Sequence, residues 1–162
     1  MQNENQQGGV LVAVDFSSHS VDAVLFAANL ADCMNIPMTI LHAIHDPGEM
    51  PGYYASLIKK KRLMTLEDMA SEIMDEFIDN LIAKYPEYKS IAQATKKLVT
   101  GLPVTRIIEI IEMTRPYLVV MGSQGRSGLQ HLMLGSKAEQ VLRLSPVPVT
   151  IVKSQMVSSD ED

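Results

Sequence analysis

Five apolar runs along this chain predict β-strands, and longer segments with apolar residues at helical spacing separate them. The first, second and fourth runs are typical of strands buried on both faces of a parallel sheet. The third run is a weaker strand candidate. The predicted strands are Val10–Val14, Met38–Ile44, Ala94–Thr100, Tyr117–Met121 and Val147–Val152.

Four helices are predicted between these strands. The first begins at Ser17 or Ser18, either of which can cap it, and ends near Asn35. The others are expected at Leu57–Tyr85, Val104–Met113 and Ser136–Leu144. The β-α-β-α-β-α-β-α-β order indicates an α/β fold, a five-stranded parallel sheet with helices on both faces. Ligands of such sheets bind beyond the carboxyl ends of the strands, where the winding direction switches.

The 162 residues suit one domain with a full hydrophobic core. We expect this domain at residues 9–153, between a flexible polar tail at 1–8 and a flexible acidic tail at 154–162. No apolar run approaches the roughly 20 residues that span a bilayer, and the polar N-terminus lacks the features of a secretory signal. The single cysteine, Cys33, is expected to be a small buried filler, and its lack of a disulfide partner fits the reducing cytoplasm.

The net charge of −5 argues against a general nucleic-acid-binding protein, which needs a basic surface to displace counterions. The basic run Lys59–Arg62 is a local exception. We interpret it as the solvated start of a helix, because longer basic runs are expected of a nucleic-acid patch. We therefore predict neither nucleic acid nor membrane as a partner.

The segment from Met121 to Lys137 carries the strongest chemical signal. It begins at the carboxyl end of a predicted strand and ends at a predicted helix start, so both of its ends lie on the ligand side of the sheet. A polyphosphate needs converging backbone N–H groups with no Cβ in the way, a helix N-terminus and positive charge. The residues that offer these features are Gly122, Gly125, Arg126, Gly135, Ser136 and Lys137.

Glycines alone do not establish a nucleotide site, because they occur in loops of every kind and Gly135 could simply relieve crowding at the helix start. The order Gly135-Ser136-Lys137 is not that of a P-loop, and no GxGxxG of the dinucleotide-binding type occurs. The sequence also contains neither GxSxG nor HExxH. We find no convincing set of catalytic residues.

The spacing Gly122-x2-Gly125-x9-Gly135-Ser136 resembles the ATP-binding signature of the universal stress protein family. The residues around it, the first two predicted strands and the Ser-Pro-Val-Pro-Val run at 145–149 are also similar to that family. The resemblance covers about residues 9 to 153. It implies a Rossmann-like sheet with the strand order 3-2-1-4-5, whose switch point lies between the first and fourth strands.

The resemblance implies a role at each matching position on the adenosine side. Asp15 would meet the adenine or the ribose. Ala13 and Ala43 would help to line the base pocket, largely through their backbone. Met121 would pack on the adenosine.

On the phosphate side, the resemblance implies that the three glycines of the signature and Ser136 cradle the phosphates. Position 137 is often a small or branched apolar residue in this family, so Lys137 departs from the pattern. This lysine either strengthens phosphate binding or extends into solvent. The implied cofactor is ATP or AMP, with any Mg²⁺ carried by the phosphates.

Two groups of side chains have alternative interpretations. Asp15 could cap the following helix instead of contacting a ligand. His42, His45 and Asp46 could suggest a metal, but their spacing matches no known ligand pattern, and a lone strand histidine is usually structural. We therefore expect no metal site built from protein side chains.

The leading hypothesis is a cytoplasmic stress-response regulatory protein that binds ATP or AMP. The alternatives are a slow ATPase or nucleotidyl-transferring enzyme, and an interaction module that binds no nucleotide. Asp15 is expected at the adenosine end, far from the γ-phosphate, so any hydrolysis should be slow. The resemblance also implies a homodimer through the last strand, Val147–Val152, which we expect at an uncovered sheet edge.

Overall fold

The computed structural model describes residues 8–45, 65–124 and 134–154. Within these residues the chain forms five strands and five helices. The strands are β1 (Val10–Ala13), β2 (Met38–Ile44), β3 (Thr95–Thr100), β4 (Leu118–Gly122) and β5 (Val149–Val152). The helices are α1 (Ser18–Met34), α2 (Leu66–Lys84), α3 (Lys89–Gln93), α4 (Pro103–Thr114) and α5 (Ser136–Leu144).

The strands form one sheet in the order β3-β2-β1-β4-β5, and each neighbouring pair is parallel. This confirms the predicted topology. β1 lies at the centre, where Val12 is in register with Ile40 of β2 on one side and with Val120 of β4 on the other. The chain adds β2 and β3 on one side of β1 and then β4 and β5 on the opposite side. The switch point therefore lies between β1 and β4.

Each face of the sheet carries its own hydrophobic core, because successive strand residues point to opposite faces. Val10 and Val12 of β1 face a core that α1, α2 and α3 cover. Leu11 and Ala13 face a second core, which α4 and α5 cover. The expected helices on both faces are therefore present, and the cavity described below lies on the second face.

The prediction of one continuous helix over residues 57–85 is wrong at Thr65, because α2 begins at Leu66. Residues 57–64 lie outside the described residues. Thr65 has an extended backbone, with ψ of 164°, so a helix cannot continue through it. Its side chain accepts a hydrogen bond from the Asp68 N–H at 3.1 Å, and the Asp68 carboxylate accepts one from the Thr65 N–H at 3.2 Å. This capping box fixes the start of the helix. The basic run Lys59–Arg62 lies outside the described residues.

Two local features differ from the sequence-based expectations. The short helix α3 was not predicted, and its Ile91 is 1% exposed and packs into the first core. Cys33 is exposed on α1, so its prediction as a buried filler is wrong. The buried stripe of α1 runs instead through small residues such as Ala27 and Ala31. No helix within the described residues is long and apolar enough to cross a membrane.

Candidate functional site

A cavity of about 300 Å³ lies at the carboxyl ends of β1, β2 and β4. Helices α4 and α5 bound it from the side of the second core. Its lining includes seven residues from the three strands or directly after them: Ala13, Asp15, Leu41, Ala43, His45, Met121 and Gly122. The cavity therefore occupies the crevice beyond the strand ends where α/β sheets bind ligands.

Eight of the ten predicted site residues line this cavity: Ala13, Asp15, Ala43, Met121, Gly122, Gly135, Ser136 and Lys137. The other two, Gly125 and Arg126, lie outside the described residues. The chain thus brings together residues that are more than 100 positions apart in the sequence. The sheet topology does this, because β1 and β4 are neighbours.

One end of the cavity is the N-terminus of α5. Gly135 occupies the N-cap position and offers no side chain to the first turn. The first backbone hydrogen bond of the helix runs from the Glu139 N–H to the Gly135 carbonyl at 2.9 Å. The N–H groups of Ser136, Lys137 and Ala138 precede it and have no intrahelical acceptor, and all three residues line the cavity. These N–H groups and the helix dipole favour an anion at this end.

The opposite end of the cavity lies against α4 and β2. Pro103, Ile107 and Leu41 give it an apolar wall, and His45 adds a polar ring. The Leu41 carbonyl accepts a hydrogen bond from the Val14 N–H at 2.9 Å, on the β1 side of β2. Because carbonyls alternate in direction along a strand, the Ala43 carbonyl points to the same side, beyond the last residue of β1. This end can therefore receive a flat apolar group with polar edges.

Asp15 lies between the two ends and is held by the first turn of α1. Its Oδ1 atom accepts hydrogen bonds from the Ser17 N–H at 3.1 Å, from the Ser17 hydroxyl at 2.6 Å and from the Ser20 hydroxyl at 2.7 Å. The Asp15 N–H donates in turn to Ser20 Oγ at 2.9 Å. The N-cap of α1 is Ser17, so Asp15 does not cap the helix itself but holds the capping residue, while it also lines the cavity.

His42 lies on the opposite face of the sheet from His45 and stabilises the turn after β1. Its Nδ1 is 2.8 Å from the carbonyl oxygen of Val14, and its ring centroid is 4.3 Å from that of Phe16. Phe16 has a left-handed backbone, with φ of 62°, which turns the chain from β1 into α1. These contacts agree with a structural role for His42. Among the described residues, no group of three or more His, Cys, Asp and Glu side chains is placed to hold a metal ion.

Gly122 has a packing role that its place in the glycine pattern did not indicate. A Cβ at this position would lie 2.9 Å from the carbonyl oxygen of His19 and 3.0 Å from the His19 Cβ. The glycine therefore lets the first turn of α1 approach the end of β4. Its replacement by valine would disturb this packing as well as the cavity, so it is a poor probe of ligand binding.

The two described ends of the glycine-rich segment meet at the cavity. The Gly135 N–H donates to the Ser123 carbonyl at 2.8 Å, and the Ser123 N–H donates to the Val152 carbonyl at 2.8 Å. These bonds anchor the start of α5 to β4 and β5. The segment between the two anchors therefore begins and ends at the same side of the cavity.

The sequence did not indicate several of the residues that line the cavity, among them Ser20, Pro103, Ile107 and Gln124. His45 also lines it, although the sequence suggested for it only an unconvincing role as a metal ligand. Pro103 and Ile107 sit in the first turns of the helix after β3. The start of a helix that follows a parallel strand faces the carboxyl edge of the sheet. That rule could have indicated both residues without a motif.

The chain matches the model of the universal stress protein family over residues 9–153. It is 29% identical over 153 residues to a universal stress protein of Mycobacterium tuberculosis, a match that covers 93% of this chain and 47% of that protein. It is also 29% identical over 145 residues to universal stress protein YxiE of Bacillus subtilis, which covers 89% of this chain and 97% of that protein. The chain spans about half the length of the mycobacterial relative.

Solved structures share the fold. The universal stress protein UspA of Lactobacillus plantarum superimposes with a TM-score of 0.65 at 18% identity, covering 91% of this chain and 99% of that one. A universal stress protein in complex with cAMP superimposes with a TM-score of 0.63 at 24% identity, covering 91% of this chain and 98% of that one. The universal stress protein of Archaeoglobus fulgidus in complex with dAMP superimposes with a TM-score of 0.58 at 19% identity, covering 90% of this chain and 98% of that one. The family model matches residues 9–153, which include every strand and helix described above, so this chain belongs to the universal stress protein family.

Proposed function

We propose that this chain is a stress-response regulatory protein that binds an adenine nucleotide, ATP or AMP, in the cavity. The observation that carries the proposal is the convergence of Asp15, Met121 and the N-terminus of α5 on one cavity at the switch point of the sheet. Two proteins of the same fold bind cAMP and dAMP. Those ligands favour an adenine nucleotide over an unrelated anion.

The chemistry of the cavity gives the nucleotide one orientation. The phosphate lies at the N-terminus of α5, where the N–H groups and Lys137 attract an anion. The base lies at the apolar end beside Ile107. β2 and β4 are two strand spacings apart, roughly 10 Å, which leaves room for the ribose between them. Asp15 lies at the ribose, where its carboxylate can accept from a hydroxyl.

The size of the cavity suits a base, a ribose and one phosphate. Its volume of about 300 Å³ is at the small end of ligand pockets. The second and third phosphates of ATP extend past Gln124, and Mg²⁺ binds to them rather than to a protein cluster. Gly125 of the signature and the neighbouring Arg126 remain part of the proposed phosphate site.

The proposal is for binding, not for metabolic catalysis. Hydrolysis needs a group that positions water beside the terminal phosphate. In the described part of the chain, the carboxylate that lines the cavity is Asp15, and it lies at the ribose. We place this function in the cytoplasm, on the argument from the single cysteine.

Calorimetric titration of the nucleotide-stripped protein with adenosine, AMP and MgATP tests the proposal. AMP and MgATP should bind more tightly than adenosine, because only they reach the N-terminus of α5. Lys137→Met keeps an unbranched apolar side chain and removes the positive charge. AMP affinity should then fall by about tenfold, the loss of one charge-assisted contact, while adenosine affinity stays the same.

Lys89→Met in α3 is the matched control, because Lys89 lies on the first core's side of the protein and does not line this cavity. It should leave all three affinities unchanged. No binding of any of the three ligands to the unmodified protein would overturn the proposed function. An equal loss of affinity for adenosine and AMP in Lys137→Met would contradict a contact between Lys137 and the phosphate.

We further propose that the chain forms a homodimer through the edge strand at residues 147–152. The two edges of the sheet differ in composition. The β3 edge carries Lys96 and Lys97, and a hydrogen bond with Asp75 of α2 raises the pKa of Lys96. β5 has the sequence VTIV, with four half-buried residues and no charge. Lysines protect an edge from pairing, and an uncharged apolar edge favours it.

Ile151 in β5 provides the test of the dimer. The carbonyls of Pro148 and Val152 bond to β4, so the Ile151 N–H points away from the sheet. Ile151→Pro removes this N–H donor. Ile151→Ala also shortens the side chain but keeps the N–H donor. Light scattering should give a dimeric mass for the unmodified protein and for Ile151→Ala, and a monomeric mass for Ile151→Pro. A monomeric mass for the unmodified protein at micromolar concentration would contradict the dimer.

A further inference from the structure

Ser20 is a buried hydroxyl residue in the first turn of α1, at the edge of the cavity. It is 4% exposed and belongs to the cavity lining. Its Oγ accepts a hydrogen bond from the Asp15 N–H at 2.9 Å and donates one to Asp15 Oδ1 at 2.7 Å. The hydroxyl of Ser20 therefore holds Asp15 at two points, one in the backbone and one in the carboxylate.

The cap of α1 does not depend on this hydroxyl. Ser17 Oγ is the capping group, and it accepts from the Ser20 N–H, which any residue other than proline at position 20 would keep. Serine is also a weaker helix former than alanine, so helix propensity gives no reason for a hydroxyl here. The contacts that require the Ser20 hydroxyl are those with Asp15.

The orientation of the Asp15 carboxylate matters because Asp15 lines the cavity. The last torsion of an aspartate side chain is broad, so a carboxylate turns readily unless hydrogen bonds hold it. At Oδ1, the Ser20 hydroxyl converges with the N–H and the hydroxyl of Ser17. Donors from two positions at the start of α1 thus fix the direction of the carboxylate before a ligand arrives. An acceptor that is already aligned loses less conformational freedom on binding.

We propose that Ser20 is a positioning residue, which aligns the Asp15 carboxylate with a ribose hydroxyl and so sets the preference for ribonucleotides over nucleotides whose sugar has no hydroxyl. This inference rests on the proposed function, which places Asp15 at the ribose. A hydrogen bond from a hydroxyl to a carboxylate is stronger than one between neutral groups, but it weakens steeply when its angle is poor. A carboxylate that turns away loses this contact, while the contacts to the base and the phosphate stay.

Two ligands isolate the sugar contact. AMP and 2′,3′-dideoxyadenosine 5′-monophosphate share the base and the phosphate and differ in the two ribose hydroxyls. Calorimetry on the unmodified protein should show that AMP binds about tenfold more tightly, the value of a hydrogen bond to a charged group. In Ser20→Ala this preference should fall to about threefold, because the Asp15 carboxylate is still present but turns more freely.

The affinity of Ser20→Ala for the dideoxy nucleotide should change little, which separates a sugar contact from a general loosening of the site. Ser20→Cys is a graded second variant, because a thiol has a similar shape and is a weak donor. Its preference for AMP should lie between those of the unmodified protein and Ser20→Ala. An unmodified protein that binds both nucleotides equally would overturn the sugar contact and the role of Ser20.

A double-mutant cycle shows whether Ser20 acts through Asp15. Asp15→Ala removes the carboxylate and should abolish the preference for AMP. The addition of Ser20→Ala should then leave the preference unchanged, since no carboxylate is left to align. A preference that persists in Asp15→Ala and falls when Ser20→Ala is added would show that the Ser20 hydroxyl contacts the ribose itself. That result would overturn the positioning role.

Ser90→Ala is the matched control for the loss of a buried serine. Ser90 is 7% exposed, its hydroxyl donates to the Ala28 carbonyl of α1 at 3.1 Å, and it does not line this cavity. This variant should be less stable but should keep the full preference for AMP. An equal loss of both affinities in Ser20→Ala would overturn the role of Ser20 and leave the proposed function intact. Failure of the unmodified protein to bind either nucleotide would instead overturn the proposed function.

Discussion

Helices α1 and α5 both begin at the carboxyl edge of the sheet beside the cavity, but their first turns are satisfied in different ways. At α1, Ser17 Oγ accepts from the Ser20 N–H, and the Asp15 carboxylate accepts from the Ser17 N–H and hydroxyl. At α5, the N-cap residue is Gly135, and no side chain caps the first turn. The chain thus places a carboxylate of its own just before the first turn of α1 and none just before that of α5, where the acidic residue of the first turn, Glu139, is paired with Arg143.

This difference shows which helix is arranged for an external ligand. Every helix start has N–H groups without intrahelical partners and the positive end of the dipole, and both favour a negative charge. Asp15 supplies that charge to α1 from within the chain. α4, the third helix at the cavity, also has no side-chain cap, but its first residue, Pro103, has no N–H, and Val104 and Thr105 do not line the cavity. Among these three helices, α5 alone offers its first N–H groups to the cavity without a side-chain cap.

Gly135→Asp should have the largest effect, because it gives α5 the internal anion that α1 already has. The backbone of Gly135, with φ of −59° and ψ of 139°, suits a capping side chain. We expect the affinity for AMP to fall by more than about tenfold, since the new carboxylate repels the phosphate and competes for the same N–H groups. The unliganded protein should become more stable by a few tenths of a kcal/mol, as for aspartate over glycine at an N-cap.

Gly135→Asn separates the charge from the cap. It offers a similar cap without the negative charge, so its loss of AMP affinity should be smaller than that of the aspartate variant. Calorimetry measures the affinities, and urea denaturation without nucleotide measures the stabilities. Full AMP affinity in Gly135→Asp would show that α5 does not bind the phosphate.

Most of the fold could be predicted because local patterns specify it. Strand β2 and helix α5 have the predicted bounds, and the alternation of strands and helices indicated the parallel sheet. The prediction of one helix over residues 57–85 overlooks the cap of α2, which is visible in the sequence because Thr65 precedes Asp68 by three residues. The helical periodicity of the apolar residues does not mark this boundary. α3 is only five residues long, too short for periodicity to indicate it.

The candidate site was harder to predict, because a spacing pattern records where side chains are missing and not what lies beside them. Gly122 was assigned to the approach of phosphate, yet its missing Cβ makes room for the His19 backbone. The spacing around His45 matches no metal-ligand pattern, and no linear pattern shows that His45 shares a cavity with Ile107 of α4. Such pairs become neighbours only through the crossover connections of the sheet.

Ser17→Ala tests the other side of the comparison and should have the smaller effect. The substitution removes the side-chain cap of α1 and one of the two donors that Ser17 offers to Asp15 Oδ1, since the Ser17 N–H remains. We expect the free energy of unfolding to fall by about 1 kcal/mol, the usual value of an N-cap. AMP affinity should also fall by a small factor, because Asp15 is less firmly held at the ribose.

Two controls separate the cap from the site. Ser18→Ala changes the next residue, which is exposed at the first position of α1, and should alter neither stability nor binding by much. Thr65→Ala removes the cap of α2, which does not contact the cavity, so it should cost stability without changing AMP affinity. If Ser17→Ala behaves like Thr65→Ala, with lower stability and full affinity, then Asp15 serves α1 alone. The internal anion of α1 would then have no part in holding the ligand.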